Sequence, residues 1–269
     1  MPVTGRLVGK AAIVVGGGQR GGDTIGNGRA IAELFARAGA SVLCVDRHRD
    51  RAEATVAAIA ADGGTAEGIE ADISRGEDCD AVVTRALDRW ATIDVVVNNV
   101  GIGGHGDGPA HVADEDAVVR ILEINLVAMW RMCRAVLPTM RAQGRGAIVN
   151  VSSAASFAGG FQVGYEVSKA GVNRLTTSIA QSNAKHGVRC NAIALGLVDT
   201  PMAVGGIAEA RGVDPDVVRA ERDARVPLRG GMGSAWDTAY AALYLGSDEA
   251  RFVTGVVLPV DGGTTIRIG

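Results

Sequence analysis

Seven short runs rich in Val, Ile and Ala punctuate the chain at residues 11–16, 41–45, 65–70, 93–97, 147–151, 188–194 and 255–260. Longer stretches with helical patterning lie between them, at 29–38, 51–61, 77–90, 114–137 and 164–186. Strand, helix, strand at this spacing leaves few solutions: right-handed crossovers join strands that run parallel in one sheet. Such a sheet is covered on both faces, so its strands read as unbroken apolar runs. Composition agrees. Hydrophobic residues make up 47% of the chain and aromatics only 4%, so the core must be packed from Val, Ile, Leu and Ala. The expected fold class is α/β: a doubly wound sandwich with a central, mostly parallel seven-stranded sheet flanked by helices. No repeat, low-complexity tract or Pro/Ser linker divides residues 1–269, so one domain is expected.

Several function classes fall away on composition. The net charge is −3 with no basic block, so neither a nucleic acid nor a membrane surface is an expected partner. Cys44, Cys79, Cys133 and Cys190 are scattered and form no CxxC pair, which fits buried thiols in a reduced compartment better than disulfides or a metal site. No metal is expected. The N-terminus lacks a charged stretch followed by a long apolar run, and no window approaches the ~20 apolar residues of a membrane span. A soluble, cytoplasmic protein is the expectation.

The first apolar run ends in Gly16-Gly17-Gly18, and Gly26-Asn27-Gly28 opens the Ala-rich helical stretch that follows. Between a strand and a helix, glycines let the backbone approach a pyrophosphate, and the helix N-terminus offers unpaired N–H groups and a partial positive charge. The position of the cluster, more than the glycines themselves, points to a dinucleotide site of the Rossmann type. Asp46 closes the second run, 18 residues beyond Gly28. An acidic side chain there hydrogen-bonds adenosine ribose hydroxyls and repels a 2′-phosphate, which favours NAD over NADP. Arg47 and Arg20 pull the other way, since either could meet a phosphate.

One segment breaks the rhythm. Residues 202–233 are rich in Gly, Arg and Asp and follow a strand end, where open α/β sheets bind ligands. A substrate lid is expected there.

The order of motifs resembles the short-chain dehydrogenase/reductase family over nearly the whole chain. After the glycine turn and Asp46 come Ala71-Asp72-Ile73, similar to an adenine-contacting segment, and Asn98-Asn99-Val100-Gly101, similar to the family's Asn-Asn-Ala-Gly. Asn125 matches the catalytic asparagine, Val149-Asn150-Val151-Ser152-Ser153 the strand bearing the catalytic serine, and Tyr165-Glu166-Val167-Ser168-Lys169 the Tyr-x-x-x-Lys signature. The segment from Asn191 to Pro201 resembles the one that closes over the nicotinamide, and 258–263 resembles the last strand. The resemblance implies catalysis by Asn125, Ser153, Tyr165 and Lys169. It implies a cofactor held by Gly16, Gly26, Asn27, Asp46, Arg47, Asp72, Ile73, Asn99, Gly101, Tyr165, Lys169, Val198 and Thr200. It also implies a homo-oligomer, dimer or tetramer, paired through the long helical stretches 114–137 and 164–186.

Three departures stand out. Gly16 and Gly26 are ten residues apart where the family usually has four, so residues 19–24 must loop out near the phosphates or the active-site rim. Leu195-Gly196 replaces the usual Pro-Gly. Ser153 stands 12 residues before Tyr165, one fewer than the commonest spacing, and Ser152 would restore it. Strand register counted from Asn150 favours Ser153.

Tyrosine, with a reference pKa of about 10, is a poor base near neutrality. One helical turn separates Tyr165 from Lys169, whose ammonium, helped by the positive nicotinamide of the oxidised cofactor, would favour the phenolate; an opposite charge close by can shift a pKa by about 1–3. Tyr165 is therefore expected to act as general acid and base, with Ser153 holding the substrate oxygen. The family's further implication is that Lys169 holds the nicotinamide ribose and Asn125 orders a water that relays protons through Lys169. His105 and His111 read as rim residues. The leading expectation is an NAD(H)-dependent oxidoreductase acting on a small secondary alcohol or ketone. A 3-oxoacyl thioester reductase is the enzymatic alternative, which Asp46 disfavours; a non-catalytic nicotinamide sensor would be expected to have lost the proton-transfer residues.

Overall fold

Strands β1 (Ala11–Val15), β2 (Ser41–Asp46), β3 (Thr65–Glu70) and β4 (Val95–Asn98) alternate with helices α1 (Asn27–Arg37), α2 (Arg49–Ala61) and α3 (Gly76–Trp90). The computed structural model describes residues 5–266 apart from Arg20 and Gly160, so the phosphate contact considered for Arg20 lies outside the described residues. After β4 come α4 (Glu115–Leu122), a π turn (Glu123–Val127), α5 (Ala128–Gln143), β5 (Gly146–Ser153), α6 (Val163–Asn183) and β6 (Val188–Leu195). The C-terminal part holds β7 (Val198–Asp199), α7 (Gly206–Arg211), α8 (Pro215–Asp223), β8 (Gly233–Ser234), α9 (Ala235–Gly246) and β9 (Val257–Val260).

The sheet has seven strands in the order β3-β2-β1-β4-β5-β6-β9, and every pairing in it is parallel. All seven expected runs are strands, with shifted ends. Alternate side chains serve opposite layers. Ala12 and Val14 pack with α1 and α9 on one face, while Ile13 and Val15 pack with α3, α5 and α6 on the other. The four cysteines are free and buried in these layers, as expected of filler. Burial pushes the Cys44 and Cys133 thiols up to about 12.

Strand order reverses between β1 and β4, which pair from Ala12↔Val95 to Val15↔Asn98. The crevice beyond their carboxyl ends is where doubly wound sheets take ligands. The glycine turn and the loop after β4 both open into it.

The structure differs from the sequence reading in two places that matter for the site. The stretch expected as one helix over 114–137 is two, joined by the π turn, and α5 runs through Pro138 to Gln143. The segment 202–233 is structured rather than looped. A second π turn (Pro201–Gly205), α7 and α8 pack Val204, Ala208 and Val218 into a small apolar cluster of their own. Parallel pairing of β7 with β8 closes its base. Among the described residues, no helix is long and apolar enough to cross a membrane.

Candidate active site

The glycine turn is built by close approach. A Cβ on Gly28 would overlap the Gly16 carbonyl oxygen, and one on Gly18 would run into the Asp46 carboxylate. Gly16 and Gly17 donate to the Val45 carbonyl at 2.8 and 3.0 Å, and buried Thr55 Oγ1 donates to the Gly17 carbonyl at 2.8 Å. Asn99 Nδ2 donates to the Gly16 carbonyl at 3.1 Å, locking the turn to the end of β4. Gly26 is the N-cap of α1, and no side chain caps that helix. Its first N–H groups therefore face the crevice, beside two buried oxygens without partners, Thr24 Oγ1 and Asn27 Oδ1. A backbone cradle at an uncapped helix N-terminus, with spare polar atoms at its wall, fits a dinucleotide pyrophosphate.

Asp46 Oδ1 accepts the His48 N–H at 3.0 Å, which leaves Oδ2 directed at Gly18. Arg47 is exposed and turns to His48, donating to its Nε2 at 3.2 Å. The Asp72 carboxyl is held below the usual range, chiefly by its hydrogen bonds with Ser74 and less by the charge of Arg47. Ile73 is buried next to it.

The proton-transfer group forms where β5, α6 and the loop after β4 meet. Tyr165 is half-buried, and the Ser153 side chain acts on its hydroxyl in favour of the phenolate. Ser152 points elsewhere: its Oγ donates to the Lys169 carbonyl at 3.2 Å. Strand register thus puts Ser153 with the tyrosine. Lys169 is only 3% exposed. Its Nζ donates to the Val151 carbonyl at 2.9 Å, lies 5.7 Å from the Tyr165 ring centre and sits beside Gly101. Asn125 is fully buried in the first π turn, a bulge type frequent at functional sites. Its Nδ2 donates to the Ile102 carbonyl (2.8 Å) and to Ser168 Oγ (3.0 Å), and its Oδ1 accepts the Ile102 N–H (2.7 Å). The Asn125 side chain is a clamp on the loop after β4. Val198 and Thr200 are buried at the end of β6 and its continuation, where Thr200 Oγ1 caps the second π turn by accepting the Ala203 N–H at 3.3 Å.

Burial and charge compete at Tyr165. Burial raises Tyr165 above the ordinary phenol value; the Ser153 side chain and the charge of Arg222 pull the other way without cancelling it. Desolvation lowers Lys169 to about 8, because an ammonium buried against a single carbonyl loses more hydration than it regains.

The chain matches the family model described as enoyl-(acyl carrier protein) reductase over residues 23–265. It is 34% identical over 276 residues to the 1,6-dihydroxycyclohexa-2,4-diene-1-carboxylate dehydrogenase of Acinetobacter baylyi, covering 98% of this chain and 99% of that one. A solved putative short-chain dehydrogenase/reductase from Burkholderia xenovorans superposes with a TM-score of 0.92 at 40% identity, over 99% of this chain and 100% of that one. The chain belongs to the short-chain dehydrogenase/reductase family. Levodione reductase, also solved, superposes with a TM-score of 0.89 at 31% identity, over 98% of this chain and 100% of that one. Membership makes the protein an oxidoreductase whose fold takes a nicotinamide cofactor.

Two long-range contacts in this short-chain dehydrogenase/reductase escaped the sequence reading, the Asp107 cap on α6 and the hold of the 19–24 insertion on the lid. Asp107, in the Gly-rich loop after β4, caps the start of α6 from a distance. Its Oδ1 accepts the Gly164 N–H and its Oδ2 the Tyr165 N–H, both at 2.9 Å. An Asp among glycines is a turn signal, and only tertiary structure brings it to the helix. The second feature is the 19–24 insertion, which leans onto the lid. Gln19 bridges its neck, accepting the Gly26 N–H at 3.0 Å and donating to the Thr24 carbonyl at 3.2 Å. Gly22 packs against Pro201, and Asp23 pairs with Arg219 of α8 at 2.6 Å. His105 and His111 are exposed on the rim. Among the described residues, no group of three or more His, Cys, Asp or Glu could hold a metal ion.

Proposed function

We propose that this short-chain dehydrogenase/reductase interconverts secondary alcohols and ketones with NAD(H), Tyr165 exchanging the hydroxyl proton. One observation carries the reading: the buried Lys169 Nζ stands 5.7 Å from the Tyr165 ring centre, on the helix whose tyrosine hydroxyl the Ser153 side chain acts on. The bound nicotinamide supplies the hydride acceptor or donor. Ser153 orients the substrate oxygen and stabilises charge that develops on it. Tyr165 gives a proton to that oxygen in reduction and takes one in oxidation. Because burial favours the phenol, reduction starts from the protonation state at rest, whereas oxidation needs added positive charge to release the proton. Lys169, poised near neutrality, holds or passes that proton. Asn125 positions the loop that meets the cofactor rather than bonding the reactants with its side chain.

The preference for NAD is supported by Asp46, whose free oxygen lies over Gly18, where a 2′-phosphate would meet a negative charge. Gly16, Gly26, Asn27 and Asn99 would hold the pyrophosphate side, Asp72 and Ile73 the adenine, and Gly101, Val198 and Thr200 the nicotinamide side. Relatives named for dehydrogenation of a dihydroxycyclohexadiene and for levodione reduction support a small alcohol or ketone as substrate. The proposal extends to a cytoplasmic homo-oligomer paired through α4, α5 and α6, where Val119, Trp130 and Val167 are exposed. A panel of secondary alcohols and ketones assayed with NAD(H) and NADP(H), for the wild type and Tyr165→Phe, tests the chemistry. Full activity in Tyr165→Phe would remove it.

A further inference from the structure

The arginines of the lid have different fates. Arg211 is neutralised by Glu221 through two hydrogen bonds, at 2.6 and 2.9 Å. Arg219 binds three carboxylates, those of Asp23, Asp199 and Asp216. Arg225 and Arg229 are exposed. Arg222 is half-buried, and its Nε donates to a thioether, Met232 Sδ, at 3.2 Å. Among the described residues, no carboxylate lies within ion-pair distance of it. Two Nη groups, four N–H donors, are left to a ligand.

Its helix is anchored by its neighbour. Arg219 stands three residues earlier, so the two share a face of α8. Arg219 ties that face to Asp199 at the end of β7 and to Asp23 of the cofactor-side insertion. Arg222 lies close enough to the catalytic group for its charge to act on the Tyr165 hydroxyl. Desolvation presses on the guanidinium, with Arg225 adding repulsion. Asp199, already bonded to Arg219, opposes this only through its charge, so the half-buried guanidinium has no carboxylate in direct contact among the described residues and is costly to hold unless something bound there supplies one.

We propose that Arg222 determines substrate specificity by pairing with a carboxylate on the secondary alcohol or ketone. With Nε engaged by Met232, the two Nη groups present an end-on fork, which matches the two oxygens of a planar carboxylate. The substrate class is then hydroxy acids and oxo acids, oriented by the carboxylate at Arg222 and the reacting oxygen at Ser153 and Tyr165. The inference rests on the oxidoreductase reading above and narrows it.

Initial rates with NADH on 3- and 4-oxocyclohexanecarboxylate and on their methyl esters test the pairing. The wild type is expected to prefer acid over ester in kcat/KM by about tenfold or more, the scale of a charge-assisted hydrogen bond. Arg222→Gln should collapse that ratio toward one, mainly through KM, and Arg222→Lys should restore part of it. Equal use of acid and ester by the wild type, or an unchanged ratio in Arg222→Gln, overturns the inference. Calorimetric titration of cyclohexanecarboxylate and cyclohexanecarboxamide into the protein with NADH reads the same contact without turnover. Tighter binding of the carboxylate, lost in Arg222→Gln, sustains the role of Arg222 even where no ketone is reduced, a result that would sink only the Tyr165 chemistry. Equal binding of the two by the wild type overturns the role outright.

Discussion

Asp107 and Tyr165 meet as cap and helix: the Asp107 carboxylate takes the N–H groups of Gly164 and Tyr165 at 2.9 Å each. The loop beneath the substrate space and the helix bearing the acid/base are thus one unit, also clamped by Asn125 at Ile102. Asp107→Ala should remove about 1 kcal/mol of stability, as loss of an N-cap does. It should also lower kcat about tenfold, because small misplacement of a reacting group is expensive. KM for the nicotinamide should stay within about twofold. Steady-state kinetics beside a urea titration separate the two effects, and an unchanged kcat would reduce Asp107 to a structural cap.

Lys169 is held at a cost in stability. In the folded protein its pKa falls from 10.5 to about 8. At roughly 1.4 kcal/mol per pKa unit this sets an upper bound of about 3.5 kcal/mol on the penalty. Below pH 8 both folded and unfolded chains carry the proton, and the penalty is complete. Between about 8 and 10.5 the unfolded chain binds more protons, so rising pH relieves the penalty. Lys169→Met, which keeps the stem and drops the charge, should therefore be at least as stable as the wild type at pH 7 while losing activity. The gap should narrow as pH rises toward 10. Urea midpoints at several pH values check this, and a variant less stable than wild type at pH 7 contradicts it.

What was legible in the chain was what is written locally. Buried parallel strands spell themselves as apolar runs, so all seven sheet strands could be read, and Tyr165 and Lys169 share a helix face by spacing alone. Register from Asn150 sufficed to place Ser153 by the tyrosine and Ser152 away from it. Contacts between distant segments left no such trace. Asp107 lies 58 residues before the backbone it caps, and Asp23 lies 196 residues before Arg219. The lid helices rest on a cluster of only three buried residues, too few to impose a visible period. The burial that raises Tyr165 left no trace in the sequence, because a charge partner can be read from spacing, whereas desolvation depends on everything packed around the ring.

Cofactor choice should turn on Asp46. Its second oxygen faces Gly18, and Arg47 beside it is exposed and donates to His48. The wild type should prefer NAD over NADP in kcat/KM. Asp46→Ser removes the negative charge and leaves Arg47 to meet a 2′-phosphate, so the NAD/NADP ratio should fall by about tenfold or more. Initial rates with both cofactors decide. A wild type preferring NADP would refute the reading of Asp46.

Arg219 joins the two halves of the site. Its guanidinium bonds Asp23 of the insertion at 2.6 Å, Asp199 at 3.0 Å and Asp216 at 2.8 Å. Single exposed pairs contribute little, but one guanidinium held by three carboxylates from three segments fixes geometry even where it adds little stability. Asp199 Oδ1 is buried without a partner, so among the described residues Asp199 has its direct ion pair from this arginine. Arg219→Met should therefore uncouple α8 from the glycine turn. Severalfold rises in KM are expected for both nicotinamide and substrate, with the unfolding midpoint little changed. Asp23→Asn should reproduce the effect on the nicotinamide more weakly, since Asp199 and Asp216 still hold the helix. Combining the two substitutions should add nothing beyond Arg219→Met, because both cut the same contact. A double variant whose KM effects multiply would mean that Asp23 and Arg219 act on the cofactor separately, and the insertion would then be no latch for the lid.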